Sequence, residues 1–360
     1  MTYIGAEEII SPLGQNIQEN FEAVRENRSG ISLVPKVGFN KEDIHLAKII
    51  TLIKKNKFEF LLIDILEKVS KRIDASIIPS EKTLVIISST KGDLDRDISN
   101  PFAPAVAALM KYFNLKSQPL IVSNACISGV LAINAANNFI KAGLYEHAIV
   151  IGCDVISDFV LYGFQSLFAV SALPCLPFDK SRSGITLGEG CSAVVVSKTR
   201  EIYTSSPLEL LSGTSANDAN HISGPSRTGE GLYRTIKRTL EQNSVSADEI
   251  DFISAHGTAT VFNDEMEAIA FDRLNMSDIP LNSLKGYFGH TLGAAGVTET
   301  AISIQMMHHN LLVKSLGYSE AGTSKTLNIA TENRTSELNT ILKTASGFGG
   351  CNASLVFRKL

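Results

Sequence analysis

Short runs of apolar, mostly β-branched residues alternate with longer amphipathic or small-residue segments along this chain. In the first half the runs at 83–87, 120–122, 147–152 and 192–196 predict buried strands, and the segment at about 127–142 predicts a helix. Strands that alternate with helices in this way are typical of α/β proteins, in which helices cover both faces of a sheet.

The second half repeats this pattern. Its predicted elements are strands at 250–254, 341–345 and 353–357, a helix from about 264, and a small-residue helix at about 293–309. The strand and turn at 85–90 resemble those at 252–257, and the Gly/Ala-rich helix after Cys126 resembles the one after His290. The sequence therefore predicts two halves of similar fold.

The charges and apolar stretches argue against nucleic-acid and membrane partners. The chain has 33 basic and 37 acidic residues, a net charge of -4 and no block of basic residues. Two charge-free stretches, 117–140 and 159–178, are interrupted by asparagines or by glycine and prolines, which favours protein interior over a membrane span. Five cysteines without CxxC spacing, and no basic segment followed by an apolar one at the N-terminus, predict a reduced, cytoplasmic protein.

Cys126 is a candidate nucleophile. It lies in the segment VSNACISG at 122–129, where a predicted strand ends and a helix begins. The dipole and free N–H groups of a helix N-terminus lower the pKa of a thiol and can hold an oxyanion, so we expect a reactive cysteine here. The alternative is a buried, inert cysteine, which is the commoner fate of this residue type.

Two histidines also lie at predicted strand-to-helix junctions. His256 follows an apolar strand in SAHGTAT, and polar residues in that position are typical of a site at the carboxyl end of a sheet. His290 stands between glycines and opens a small-residue helix. Lys285 and Glu299 flank it and are expected to form a buried ion pair. A histidine satisfied within a turn and a solvated surface lysine are the alternatives.

A glycine-rich segment, GFGGCN at 347–352, predicts a hairpin whose backbone N–H groups can approach a reacting atom closely. Ordinary turn chemistry is the alternative. A metal site is not expected, because the cysteines and histidines are far apart in sequence without CxxC or HxxxH spacing. The chain also lacks the GxxxxGK[ST] pattern of a phosphate loop.

Taken together, these motifs resemble the β-ketoacyl synthase family of the thiolase-like superfamily, from the segment ISPLG at 10–14 to the segment GFGG at 347–350. The resemblance implies a five-layered α-β-α-β-α fold of two pseudo-duplicated halves. The half at 1–200 carries the nucleophilic cysteine and the half at 201–360 carries the two histidines. Ala259 departs from the family pattern, which has a glycine there.

A decarboxylative Claisen condensation is the reaction that this resemblance implies. The family's Cys-His-His pattern falls on Cys126, His256 and His290. Cys126 takes the acyl group of a thioester, and the two histidines donate hydrogen bonds to the carbonyl of a malonyl thioester as carbon dioxide leaves. The carbanion then attacks the acyl-enzyme to give a β-ketoacyl thioester.

The resemblance also implies the supporting parts of the site. Lys285 belongs to the catalytic set, and Glu299 and Asp264 support it. The backbone N–H groups of Cys126 and Phe348 form the oxyanion hole, and Phe348 also gates the acyl pocket. No metal or other cofactor is implied. The implied partners are an acyl carrier protein that carries acyl and malonyl groups, and a second subunit, identical or related.

Two other functions stay open at this point. One is a non-catalytic, chain-length-factor-like partner subunit of a heterodimeric condensing enzyme, although such partners commonly lack the nucleophile that Cys126 provides. The other is an acyltransferase or thioester hydrolase on the same scaffold. We expect a dimer whose interface includes 101–125, with an ordinary surface helix as the alternative. The product, a fatty acid, a polyene pigment or a polyketide, is not specified.

Overall fold

The computed structural model describes residues 1–50, 56–218 and 224–360. Its strands are β1 (Tyr3–Ile10), β2 (Ser32–Val34), β3 (Ile44–Leu46), β4 (Thr83–Ser88), β5 (Leu120–Val122), β6 (His147–Asp154), β7 (Gly190–Ser197), β8 (Leu208–Leu210), β9 (Thr214–Asn217), β10 (Phe252–Ser254), β11 (Leu281–Asn282), β12 (Leu311–Leu312), β13 (Arg334–Thr335), β14 (Thr340–Gly347) and β15 (Cys351–Arg358). Its helices are α1 (Ile17–Arg25), α2 (Lys57–Ser70), α3 (Ala103–Phe113), α4 (Ser128–Lys141), α5 (Asp158–Ser166), α6 (Glu230–Asn243), α7 (Val261–Arg273), α8 (Lys285–Phe288) and α9 (Ala295–His309).

Two sets of five neighbouring strands, which we call the first and the second ladder, have the same strand order and the same strand directions. The first runs β5-β4-β6-β7-β1 and the second runs β11-β10-β14-β15-β9. In each ladder the first two pairings are parallel and the last two are antiparallel. The predicted duplication is therefore confirmed. The two ladders are also joined by hydrogen bonds, because the short strand β8 pairs with both β1 and β15.

Helices cover the outside of each ladder and fill the space between them. Helices α4 and α9 contact strands of both ladders, whereas α2 packs on the first and α6 on the second. Side chains alternate accordingly: Leu84 and Ile86 belong to the central core, and Val85 and Ile87 to the core under the outer helices. The layers follow the expected order α-β-α-β-α, which confirms the predicted fold.

The two central helices touch backbone to backbone near their N-termini. A Cβ atom placed on Gly129 would lie 2.9 Å from the Cα of Gly296, and one placed on Gly296 would lie 2.5 Å from the backbone nitrogen of Val130. Only glycine allows this approach. The contact brings the beginning of α4 next to the beginning of α9, and it thereby sets the distance between the residues that precede each helix.

Some elements differ from the expectations. Strand β1 was not predicted, because the buried Glu7 and Glu8 and a register shift after Gly5 interrupt its apolar pattern. Helix α7 begins at Val261 rather than at about 264. Of the two charge-free stretches, 159–178 includes most of the short helix α5. Within the part of the chain that the structure describes, no helix is long and apolar enough to cross a membrane.

Candidate active site

Cys126 lies in the tight turn between β5 and α4. Ala125, just before it, has a φ of +45°, in the left-handed region that non-glycine residues rarely adopt. The hydroxyl of Ser128 holds the turn, because it accepts a hydrogen bond from the backbone N–H of Asn124 and donates one to the carbonyl of Ala125. The thiol is 7% exposed and lies two residues before the first residue of α4, as the sequence predicted.

Burial changes the expected acidity of this thiol. It raises the pKa of Cys126 to about 12, and the charge of Lys285 lowers that pKa only in part. The prediction of a lowered pKa is therefore wrong, because removing a thiolate from water raises the pKa by more than the charge of Lys285 lowers it. Cys126 is a thiol in the free protein. Its Sγ lies 3.0 Å from Nε2 of His290.

The two predicted histidines lie beside Cys126. The Sγ atom and one ring nitrogen of each histidine all lie within 4.8 Å of one another, and the two imidazoles meet edge to face with centroids 5.2 Å apart. His256 follows β10, and His290 follows α8. Burial, with the charges of Lys285 and Lys343, holds the pKa of both histidines well below the usual range. Both are therefore neutral at physiological pH.

The hydrogen bonds of the two rings select one tautomer for both. The Nδ1 atom of His290 accepts a hydrogen bond from the backbone N–H of Leu292 at 3.3 Å. The Nδ1 atom of His256 lies 3.3 Å from the ammonium of Lys285, which can only donate. In each ring the proton is therefore on Nε2. His290 is therefore a hydrogen-bond donor toward Sγ of Cys126, and His256 provides a second Nε2–H donor beside it.

The expected ion pair of Lys285 and Glu299 is present, and a second lysine joins it. The Nζ atom of Lys285 lies 2.7 Å from Oε1 of Glu299, and the Nζ atom of Lys343 lies 2.6 Å from Oε2. The exposed fraction of both lysines is at most 1%. Sequence reasoning missed Lys343, whose only signal is its position inside an otherwise buried strand, Thr340–Gly347.

Two carboxylates shape the turn after His256. Asp264, a predicted supporting residue, accepts hydrogen bonds from the backbone N–H groups of Thr258 and Phe178. Glu267, one turn later on α7, accepts from the N–H groups of His256 and Gly257 at 2.8 and 2.6 Å. Burial and the neighbouring Asp264 raise the pKa of Glu267 to about 7. Sequence reasoning missed Glu267 because its role is visible only once α7 packs on this turn.

Ala259 completes the same turn in an unfavourable conformation. Its φ is +63°, in the left-handed region where the family pattern has a glycine. The side chain is buried, so the turn keeps this conformation through its surroundings rather than through local preference.

A cavity of about 360 Å³ opens onto the three residues. The hairpin between β14 and β15 forms one wall, and a Cβ atom on Gly347 would lie 3.1 Å from the backbone nitrogen of Cys126. Phe348 is 39% exposed and its ring centroid lies 5.3 Å from that of Phe164. Val261 and Phe262 are exposed apolar residues that also line the cavity. The cavity is therefore suited to an apolar chain that ends at Cys126.

The same three residues also have the donor atoms of a soft-metal site. The sequence argument against a metal was that these residues are far apart in the chain, but the fold brings their donor atoms within 4.8 Å of one another. The ammonium groups of Lys285 and Lys343, both of which lower the pKa of the two histidines, oppose a cation at this position. The absence of a metal stays a prediction.

Comparisons with known proteins agree with this site. The family model described as "Beta-ketoacyl synthase, N-terminal domain" matches residues 91–201, which include Cys126. The model described as "Beta-ketoacyl synthase, C-terminal domain" matches residues 210–319, which include both histidines. Together the two models cover more than half of the chain.

Individual relatives are more distant. The chain is 33% identical over 264 residues to a putative mitochondrial 3-oxoacyl-[acyl-carrier-protein] synthase of Schizosaccharomyces pombe, a match that covers 66% of this chain and 60% of that protein. It is 29% identical over 256 residues to the tetracenomycin polyketide synthase ketoacyl synthase alpha subunit of Streptomyces glaucescens, with 66% and 59% covered. The chain thus spans about 60% of the length of these curated relatives.

The fold has solved counterparts. A chain of the complex of the ketosynthase ApeO with its chain length factor ApeC, from Xenorhabdus doucetiae, is 25% identical and matches with a TM-score of 0.89. That match covers 100% of this chain and 98% of that chain. The duplicated five-layered fold, the joined Cys-His-His site and both family models lead to one conclusion: this chain belongs to the β-ketoacyl synthase family.

Proposed function

We propose that this protein is a condensing enzyme, which joins an acyl group to a malonyl thioester with loss of carbon dioxide and forms a β-ketoacyl thioester. The observation that carries the proposal is the meeting of Cys126 with two neutral histidines, both protonated on Nε2, at one apolar cavity. The set combines a nucleophile with two donors that can stabilise a negative charge on oxygen.

In the first half-reaction Cys126 accepts the acyl group. The Nε2–H of His290 lies 3.0 Å from Sγ and stabilises the thiolate as it forms. The new bond joins Sγ to the acyl carbon, the carrier–sulfur bond breaks, and the thiol proton ends on the departing carrier thiol. Because burial raises the pKa of the free thiol, little thiolate is present before the thioester binds.

In the second half-reaction a malonyl thioester occupies the space beside the acyl-enzyme. Its carboxylate leaves as carbon dioxide, and the electron pair of the broken carbon–carbon bond moves into an enolate. The Nε2–H groups of His256 and His290 hold the enolate oxygen. The enolate carbon attacks the acyl carbon, the Cys126 thiolate leaves, and it regains a proton from solvent.

The oxyanion of that attack is assigned to the backbone N–H groups of Cys126 and Phe348. The close approach of Gly347 to the nitrogen of Cys126 supports this assignment, because it brings the hairpin backbone next to the nucleophile. Phe348, against Phe164 at the cavity, is proposed to gate the acyl chain. Lys285 holds the tautomer and position of His256, and Glu299 holds Lys285.

The proposed partners are an acyl carrier protein and a second subunit. Strand β5 ends the first ladder and pairs along one side only with β4 in the described residues, and its Leu120 is 37% exposed. A subunit that pairs with this edge would continue the sheet and cover the apolar residues. We therefore keep the segment 101–125, which includes α3 and β5, as the proposed interface.

Sedimentation of the purified chain tests the second subunit. A dimer at micromolar concentration is expected for an identical partner, whereas a monomer would contradict a homodimer and favour a related chain.

Mass spectrometry of the intact protein tests the enzymatic proposal. Incubation with acyl-carrier thioesters is expected to add one acyl group to the wild type and none to Cys126→Ala, and malonyl thioester is then expected to release carbon dioxide. Cys175→Ala is the matched control, because Cys175 is also buried and its Sγ contacts the carbonyl of Lys285 rather than a histidine.

Three results would contradict the proposal. Acylation of Cys126→Ala would assign the nucleophile elsewhere. Acylation of the wild type without malonyl-dependent release of carbon dioxide would favour the acyltransferase or hydrolase, and no acylation at all would favour the non-catalytic partner subunit.

A further inference from the structure

Lys343 is a buried cation that the reaction above does not use. It lies in β14 with 0% exposure, and oxygen atoms surround its Nζ atom. The carboxylate of Glu299 lies at 2.6 Å, and the backbone carbonyls of Thr344 and Ser254 accept hydrogen bonds at 2.7 and 3.2 Å. A fourth oxygen, the carbonyl of Ala255, lies at 3.5 Å. The ammonium therefore links three segments of chain.

The charge of Lys343 is not needed to neutralise Glu299. Lys285 already contacts the other carboxylate oxygen of Glu299 at 2.7 Å. Two ammonium groups thus share one carboxylate in the protein interior, where an unpaired ion carries a large desolvation cost. The next carboxylate that acts on Lys343 is Glu267, whose oxygens are held by the amides of His256 and Gly257. A second cation in this place needs a reason beyond ion pairing.

The contacts of Lys343 lie next to His256, which gives a reason for a second buried cation. Ser254 and Ala255 are the two residues that immediately precede His256, and Lys343 binds both of their carbonyls. The same ammonium is tied to Glu299, which holds Lys285 against Nδ1 of His256. One side chain therefore connects the backbone that carries His256 with the group that orients its ring.

The charge of Lys343 also favours the neutral form of His256. The charged or titratable groups around His256 are Lys285 from α8, Lys343 from β14, Glu267 from α7, His290 from the turn before α9 and Cys126 from the turn before α4. Glu299 from α9 pairs with the two lysines. The positive charge of Lys343 disfavours a second proton on His256. With Nδ1 unprotonated, the ring keeps its contact with Lys285 and directs its Nε2–H toward the substrate.

We propose that Lys343 is a positioning residue for the malonyl half-reaction: it holds the end of β10 in place and keeps His256 a neutral hydrogen-bond donor. This inference rests on the proposed function. It predicts a selective effect, because Lys343 contacts the backbone that precedes His256 but, among the described residues, makes no hydrogen bond near His290. His290 instead contacts Cys126 and accepts a hydrogen bond from the N–H of Leu292.

The variant Lys343→Met tests the inference. Methionine has a similar length, and its introduction leaves Lys285 and Glu299 as a balanced pair, so the variant is expected to fold. We expect the rate of Cys126 acylation to change less than about threefold. Malonyl decarboxylation is expected to fall about 10- to 100-fold, the order of loss that a misplaced catalytic group produces.

The pH dependence of the decarboxylation rate separates the two roles, because a purely structural role of Lys343 would leave it unchanged. Removal of the Lys343 charge, which lowers the pKa of both histidines, raises the pKa of His256 and of His290, so the acidic limb of the decarboxylation profile is expected to shift to higher pH in Lys343→Met. In Lys343→Ala, which leaves space for a small amine, added methylammonium is expected to restore part of the decarboxylation rate.

Arg72→Met is the matched control. Arg72 also pairs with a poorly exposed carboxylate, that of Glu8, but it follows helix α2 on the outside of the first ladder. Its loss is expected to change neither the ratio of the two half-reactions nor the pH profile.

The outcomes separate this inference from the proposed function. A wild type that releases no carbon dioxide from malonyl thioester would contradict the proposed function itself. An active wild type combined with equal losses in both half-reactions of Lys343→Met, or with an unshifted pH profile, would overturn the role of Lys343. Failure of Lys343→Met to fold would also overturn it, because Lys343 would then be required for folding rather than for positioning.

Discussion

Replacement of Glu299 by glutamine is expected to be the most destabilising conservative change in this site. Glu299 is the one carboxylate between the ammonium groups of Lys285 and Lys343, at 2.7 and 2.6 Å. Glutamine preserves the shape but leaves both cations without a counter-charge. Removing one partner of a buried ion pair costs about 3–5 kcal/mol. Here two lysines lose the same partner, so we expect a loss at the upper end of this range.

Single lysine replacements should cost much less. The sequence alone suggests that Lys285→Ala strands Glu299, but the structure shows that Lys343 remains paired with it. Lys285→Met and Lys343→Met therefore each leave one balanced pair, and replacement of a buried ion by an apolar residue is often nearly neutral in that case. We expect each to lose less than about half of what Glu299→Gln loses.

Calorimetry measures the difference. With an unfolding entropy of about 2.1 cal/mol/K per residue, the upper value of about 5 kcal/mol corresponds to a decrease in Tm of roughly 7 °C for 360 residues. The double variant Glu299→Gln with Lys343→Met should be more stable than Glu299→Gln alone, because one stranded cation has been removed. Equal Tm values for Glu299→Gln and Lys285→Met would refute the reasoning, since they would mean that the second lysine does not share the carboxylate.

Three further predictions concern individual residues. Substitution of His256 or His290 by alanine should slow malonyl decarboxylation by roughly 10²–10³, the cost of one oxyanion donor; rates within a few-fold of the wild type in both variants would exclude their shared role. Because burial raises the pKa of Cys126 to about 12, its alkylation by iodoacetamide should accelerate about tenfold per pH unit from about pH 7 to about pH 10; a plateau near neutral pH would contradict a protonated thiol. Ala259→Gly should relieve a φ of +63° and leave Tm unchanged or higher, whereas a clear decrease in Tm would show that the methyl group contributes more through packing than it costs in strain.

The local pattern of the sequence was sufficient for seven of the fifteen described strands, which include all but one of the long strands, and for the three reactive residues. Buried strands such as β4 and β6 contain continuous runs of apolar, largely β-branched residues, which are typical of strands buried on both faces. Cys126 and His290 lie next to small residues at the beginning of helices, so their immediate neighbours in the sequence were enough to identify them. Strand β1 was missed because buried glutamates break the same pattern.

What the sequence by itself determined is therefore the type of those elements that have a clear apolar pattern, and the identity of the cysteine and the two histidines that can react. Only the tertiary structure decided how those groups behave. The packing of α4 on α9 brings Cys126 to His290. The pairing of β14 with β10 brings Lys343 next to the residues that precede His256. The acidity of Cys126 was predicted with the wrong sign, because a pKa depends on the water and charges removed or supplied by residues far away in the chain. These contacts have no signature in local sequence, since they arise from the register and layering of segments more than 80 residues apart.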